Sequence, residues 1–249
     1  MSELTQVHEI QLVDELQKYT KFIAKFNEEI PIWIEDGRIR SEVMDPSHVS
    51  MIKWEIPSLG TMSKREVRSK EFADIIGRFS KANMVEIESH RMEEIHLHNG
   101  SKKMSIRTID IATRERLKDP KIPDTVEFGL KFRAFTQIVK DLRSIKADYL
   151  TVKIQGNRMD YSARSDIGSI ADHVEIDGYV PETVEATYSM EYLEEAKILK
   201  QDMACTIASS KPLKIEVKSE FGCSKLEFWL APRVESKDSL LFFIFHQAD

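Results

Sequence analysis

Along residues 11–26 (QLVDELQKYTKFIAKF), apolar Leu12, Leu16, Tyr19, Ile23 and Phe26 recur at spacings of three and four, which predicts an amphipathic helix. Lys18, Lys21 and Lys25 share its opposite face. The runs IPIWIE and RIRSEVMD alternate with period two around Asp36-Gly37 and predict a hairpin; MDPSHVSMIKWEIP adds a loop and a further strand. A second helix is predicted over 70–81, with Phe72, Ile75, Ile76 and Phe79 inward and Arg78 and Lys81 near its C-terminal end, where the helix dipole favours cations. Three alternating strands follow in MVEIES, EIHLH and KKMSIRTID. Residues 111–126 (IATRERLKDPKIPDTV) hold two prolines and no helical period, and read as an extended connector.

Past the connector the same order returns. A helix is predicted over 132–146, with Phe135, Ile138, Val139 and Leu142 inward and Lys140 and Arg143 exposed. Strands YLTVKIQ, RMDYSA and ADHVEIDG come next, then a helix over 189–201, then strands MACTIAS, PLKIEVKS and SKLEFWLAP. Met84 aligns with Met203 at an offset of 119 and Ile95 with Leu213 at 118, and a nearly constant offset is the mark of a duplication. The expected class is α+β, with a first domain at 1–110, a connector at 111–126, a second domain at 127–235 and an apolar C-terminal extension at 236–249.

Composition supports two domains, since 249 residues at 41% apolar content can fill two cores of about 120 residues each. The N-terminal segment lacks the pattern of a signal peptide, and no window approaches the roughly 18–20 apolar residues of a membrane helix, so a cytoplasmic location is expected. Cys205 and Cys223 show no short metal-type spacing; they could neighbour each other on paired strands, but read as reduced, partly buried small residues. The net charge is −6, yet the four predicted helices, with Lys131 counted to the third, together carry an excess of five basic residues, leaving −11 for the rest. Four such helices on one surface would attract phosphates without reading bases, although any one lysine there is also what a solvated helix face commonly carries.

Catalytic chemistry finds little in the sequence. Ser47 beside His48 lacks an orienting acid and the geometry of a triad. His96 and His98 alternate on a strand without a third ligand, so surface histidines are expected rather than a metal site. No glycine-rich phosphate loop or dinucleotide fingerprint is present. Neither an enzyme nor a cofactor is expected.

Several motifs in one colinear order carry a resemblance: Asp45-Pro46-Ser47-His48-Val49-Ser50, Ile122-Pro123-Asp124, Tyr188-Ser189-Met190-Glu191-Tyr192-Leu193, Lys211-Pro212-Leu213-Lys214-Ile215 and Leu230-Ala231-Pro232-Arg233-Val234. Over residues 4–235 the chain resembles the sliding clamps of the proliferating cell nuclear antigen (PCNA) family, and the archaeal members in lacking a long second-domain insertion. The resemblance implies the DNA clamp fold: two similar domains per chain, helices lining the inside of a trimeric ring, antiparallel sheets outside. It implies a processivity factor that encircles double-stranded DNA without sequence preference at the nucleoid. DNA polymerase, clamp loader, flap endonuclease and DNA ligase would bind it through short motifs.

Residue by residue, it implies DNA contact by Lys18, Lys21, Lys25, Arg78, Lys81, Lys140, Arg143, Lys197 and Lys200. Partner binding would fall to Met44, His48, Val49, Met51, Ile122, Pro123, Trp229, Leu230, Ala231, Pro232 and Val234, with Leu230 and Val234 equally readable as core. Subunit contacts would join the edge at Lys102, Lys103 and Arg107 to the edge at Asp172, Glu175 and Asp177 of a neighbour, in a homotrimer or heterotrimer. Two features depart from the family. The chain continues as SKDSLLFFIFHQAD, readable as an added strand, a packed tail or a segment occupying a client pocket, and Glu191, Glu194 and Glu195 make the last helix less basic than usual. The alternative is a duplicated α+β interaction scaffold, or a clamp paralogue that regulates partners without encircling DNA.

Overall fold

A computed structural model describes residues 6–11, 13–58, 62–79, 84–90, 94–110, 116–219 and 222–233. The chain divides into two compact units, one of Met1–Pro46, Met51–Leu117 and Lys218–Leu226, the other of Ser47–Ser50, Lys118–Val217 and Glu227–Asp249.

The first unit runs β1 (Gln6–Gln11), α1 (Val13–Ile23), β2 (Glu29–Glu35), β3 (Arg38–Met44), β4 (Ser50–Pro57), β5 (Met62–Arg68), α2 (Ser69–Gly77), β6 (Met84–His90), β7 (Glu94–Asn99), β8 (Lys102–Arg107) and the short β9 (Ile109–Asp110). Its strands form antiparallel sets in the orders β1-β6-β7-β8 and β4-β3-β2-β5-β9. The spacing of three and four on α1 buries Leu16, Tyr19, Phe22 and Ile23, and α2 buries Phe72, Ala73 and Ile76. Each large side chain so removed from water contributes about 1.5–3 kcal/mol. Where α2 ends, the missing side chain of Gly77 leaves room for Gln17 of α1, which a Cβ at that position would overlap.

Both helices are shorter than their apolar pattern predicts. The chain leaves α1 through a tightened turn in which Lys25 N–H donates to Phe22 C=O at 3.2 Å and Phe26 N–H to Ile23 C=O at 2.8 Å. Lys25 therefore lies past the helix rather than on its face, and Arg78 likewise caps α2 from outside. Such tightening satisfies carbonyls that the last turn leaves open. The strands β1 and β5 have no counterpart in the predicted elements. In β5 the sequence MSKREVR looks too polar for a strand, but Arg65 and Glu66 are buried at 6% and 7% exposure.

The second unit runs β10 (Val126–Leu130), α3 (Phe132–Ser144), β11 (Tyr149–Arg164), β12 (Ser169–Ser189), α4 (Met190–Glu195) with a 3-10 turn at Ala196–Leu199, then β13 (Met203–Ile207), β14 (Leu213–Lys218) and β15 (Lys225–Leu230). Strand order is β11-β12-β10-β13-β14-β15. The starts of α1 and α3, of β6 and β13 and of β7 and β14 are all 119 residues apart, so the repeat extends through helices and strands alike. Pairing repeats too: Glu29 opposite Arg68 in the first unit corresponds to Tyr149 opposite Ser189 in the second.

Four strands of the first unit thus correspond to two long ones in the second. The break expected between YLTVKIQ and RMDYSA is a bulge inside β11, where register shifts on either side of Gly156. Gly156 adopts φ +63, a left-handed conformation that glycine takes without a Cβ clash. In β12, pairing lapses between Val180 and Val184, and Pro181, which cannot donate to a ladder, falls there. The helix predicted over 189–201 ends as an α-helix at Glu195 and tightens before Lys200, whose φ of 53 turns the chain left-handed.

Candidate functional sites

Cations on the helices are placed by the same periodicity that buries their apolar residues. On α3, Phe135, Ile138, Val139 and Leu142 face the core, leaving Arg133, Gln137, Lys140 and Arg143 exposed. Lys18 and Lys21 on α1 and Lys197 in the 3-10 turn are half-buried, while Lys25, Arg78 and Lys200 are exposed. Lys18, Lys21, Arg78, Arg133, Lys140, Lys197 and Lys200 make no side-chain ion pair among the described residues. Lys81 lies outside those residues.

Arg143 differs from this set. Its guanidinium donates from Nε to Glu194 Oε2 at 2.6 Å and from a terminal nitrogen to Glu194 Oε1 at 2.9 Å, a two-point pair that raises the arginine's pKa further. The acidic character of α4 is thereby spent partly on α3. Arg133 was not among the predicted contacts, although its spacing of seven from Lys140 puts both on one stripe. Lys131, just before α3, pairs with Asp177 at 2.9 Å and Asp202 at 3.3 Å. Asp202 also accepts the Phe132 N–H at 2.8 Å, and that bond is the main cause of its lowered pKa. It caps α3 from 70 residues away, since Lys131 at the N-cap offers no side-chain acceptor.

The residues expected to receive partners separate by burial. Met51, Trp229 and Leu230 are core residues at 0%, 6% and 0% exposure. Met44, Val49, Ile122, Ala231 and Pro232 are half-buried, and His48 and Pro123 are exposed. Met44 and Met51 are directly opposed as the last pair of β3 and β4. His48 sits at φ 57, turning the loop so that the Val49 carbonyl accepts the Ala231 N–H at 2.8 Å, which ties the DPSHVS and LAP motifs together. Behind them the Lys214 ammonium lies 5.1 Å from the Trp229 ring centroid and pairs with Glu216 and Glu227. Val234 and residues 236–249 lie outside the described residues.

The first residues of the connector's described part dock on the first unit. The Leu117 N–H donates to Glu42 Oε2 at 2.9 Å, and Lys53 Nζ donates to the Leu117 carbonyl at 2.5 Å. Arg116 pairs with Glu35, and its guanidinium lies 5.8 Å from the centroid of the Trp33 ring. Nothing in the sequence pattern singles out Glu42 or Lys53, because each occupies an ordinary polar position of an alternating strand.

Of the expected subunit-contact residues, Arg107 and Glu175 are exposed, as are Lys103 and Asp172. Asp172 accepts the His173 N–H at 2.8 Å, and Lys102 and Asp177 also have partners within their own unit. Lys102 donates to the Arg78 carbonyl at the end of α2 and lies 5.1 Å from the Phe79 ring centroid; Asp177 holds Lys131. Cys205 is buried, its thiol pushed up to about 12 by burial, and Cys223 is exposed; the two form no disulfide, and neither is the partly buried residue that was expected. His96 and His98 approach Glu94 and Glu86 at 3.4 and 3.3 Å, and no group of three metal-ligating side chains gathers among the described residues. No described helix is long and apolar enough to cross a membrane.

No family model matches the chain. It is 29% identical over 242 residues to the DNA polymerase sliding clamp of Nitrosopumilus maritimus, covering 90% of this chain and 96% of that protein. Among solved structures it is similar to a chain of the complex described as the C-terminal region of FEN-1 bound to A. fulgidus PCNA, with a TM-score of 0.82 at 20% identity, over 93% of this chain and all of that one. The PCNA2–PCNA3 complex from Sulfolobus tokodaii gives a TM-score of 0.76 at 20% identity, covering 92% of this chain and 99% of that one. The architecture is the DNA clamp fold.

Proposed function

We propose that this chain, a DNA sliding clamp of the archaeal PCNA type, closes with two further subunits into a ring around duplex DNA and tethers replication and repair proteins to it. The observation that carries the reading is the repeat. Both units follow one plan at an offset of 119, with four strands of the first standing where two long ones stand in the second, and the helices of both carry cations without ion pairs among the described residues. Duplex held topologically needs only weak, exchangeable phosphate contacts, which lysines and arginines without fixed partners provide. Lys18, Lys21, Arg78, Arg133, Lys140, Lys197 and Lys200 are assigned to that role, Lys25 and Lys81 are assigned to the same surface on the family resemblance alone, and Arg143 is held in reserve by Glu194.

Client contact is assigned to Met44, His48, Val49, Ile122, Pro123, Ala231 and Pro232, with Met51, Trp229 and Leu230 supporting them from the core. A. fulgidus PCNA binds the C-terminal region of FEN-1, which makes a flap endonuclease the first client to test here. Polymerase, ligase and clamp loader are proposed to use the same contact. The chain acts without catalysis, in the cytoplasm at the nucleoid. Strand edges at β8 and the first half of β12 join neighbours, with Lys103 and Arg107 against Asp172 and Glu175 setting register; such exposed pairs contribute about 0–1 kcal/mol each.

Retention on circular against linear DNA tests the function. A ring loaded on nicked circular duplex stays bound through a salt wash and leaves when the circle is cut. Equal loss from circular and linear duplex would instead favour a scaffold that does not encircle DNA.

A further inference from the structure

The geometry points to Glu42 and Lys53 as a two-point peptide clamp that positions the connector for client binding without touching the client. The two residues are direct partners in the β3–β4 register, so their side chains stand side by side on one face of the sheet. Together they offer one acceptor and one donor, and Leu117 supplies the complement: its N–H to Glu42 at 2.9 Å, its carbonyl to Lys53 at 2.5 Å. A single residue is thus held through both of its backbone polar groups, as it would be by a neighbouring strand, but by side chains on the face of a sheet rather than by an edge. Both bonds are charge-assisted and partly buried, which makes them stronger than neutral ones.

Position gives the clamp its role. Met44 and Met51 form the next pair on the same face, two residues along each strand and so about 7 Å away. Met44 is the half-buried side chain assigned above to clients, and Ile122 and Pro123 follow Leu117 by only a few residues. Fixing the Leu117 peptide fixes where the connector leaves the sheet. Arg116 strengthens the hold by pairing with Glu35 on the same unit. Glu42 and Lys53 are therefore positioning residues, and this role rests on the client-site reading given above.

The test compares Glu42→Ala and Lys53→Met, each of which removes one of the two bonds to Leu117, with Glu42→Gln, which keeps a carbonyl acceptor. The probe is a labelled peptide of the C-terminal region of A. fulgidus FEN-1, with hydrogen exchange followed at the Leu117 amide. Glu42→Ala is expected to speed exchange at Leu117 and weaken peptide binding about three- to tenfold, with Lys53→Met weakening it similarly and Glu42→Gln restoring most of both. Melting temperature and solution mass should stay near the parent values, which separates the effect from general destabilisation. Unchanged exchange at Leu117 in Glu42→Ala would show that the clamp does not hold. Faster exchange with unchanged peptide affinity would show that it does not serve clients. If the parent protein binds no peptide, the client-site reading fails first and the positioning role falls with it, whatever the exchange data show.

Discussion

Lys140 and Arg143 lie on neighbouring positions of α3, yet only Arg143 has a fixed partner. Replacing Lys140 by alanine should lower the salt dependence of DNA retention, by up to about one in the slope of log affinity on log salt if it meets one phosphate. A slope unchanged within error would remove Lys140 from the DNA-facing set. Asp202 makes a second test at this scale. Its pKa is lowered from 3.8 in the folded chain, chiefly by the bond to the Phe132 amide, so its contribution is present above the unfolded pKa and is lost as pH falls through the folded one. The carboxylate is 61% exposed, so Asp202→Ala should cost only about 0.5 kcal/mol at neutral pH, at the low end of helix-cap effects. Urea midpoints of parent and variant should converge only once pH has fallen below the lowered pKa of Asp202 in the folded chain, and a gap that persists at still lower pH would mean a packing effect. The cap itself was illegible in the sequence because donor and acceptor lie 70 positions apart, whereas the buried faces of α1 and α3 follow directly from local spacing.

Elements were legible where period and burial agree. β7 and β14 alternate and were expected; β5 hides buried Arg65 and Glu66, and β12 hides its continuity behind a glycine and a proline. Gly156 is the point on which β11 depends. Gly156→Ala forces a side chain into φ +63 and should destabilise the second unit by about 1 kcal/mol, read as a lower urea midpoint with unchanged slope. α4 and α3 are coupled through Glu194, and that coupling has a sign. Glu194→Ala frees the Arg143 guanidinium and removes a negative charge beside it, so salt-resistant DNA retention should rise, while Arg143→Ala alone should change it little. The reverse ranking would mean that Arg143 reaches DNA with Glu194 still attached. The candidate site was legible in part by the same logic. The exposed cations of α3 follow from helix period, but the Leu117 contacts depend on a register that brings Glu42 opposite Lys53, which no local pattern announces.

For the whole molecule the first quantity is mass. A chain of 28.8 kDa that completes its own ring should scatter light as a trimer, about three times that mass, and hold it on dilution. A monomer or dimer would call for a sister chain, a situation with a parallel in the PCNA2–PCNA3 complex from Sulfolobus tokodaii. If the proposed edges meet, the charges of Lys103 and Arg107 against Asp172 and Glu175 guide register rather than affinity, at about 0–1 kcal/mol per exposed pair, and the trimer's mass should change little with salt.

Trp33 is buried at 5% exposure, with the Lys64 ammonium 4.7 Å and the Arg116 guanidinium 5.8 Å from its ring centroid. Indole emission responds to nearby charge, so the residue that helps seat the connector is also a native optical probe of its seating. In a chain with Trp54 and Trp229 changed to phenylalanine, a client that lifts Arg116 away would announce itself as a shift in ultraviolet emission, with no label attached.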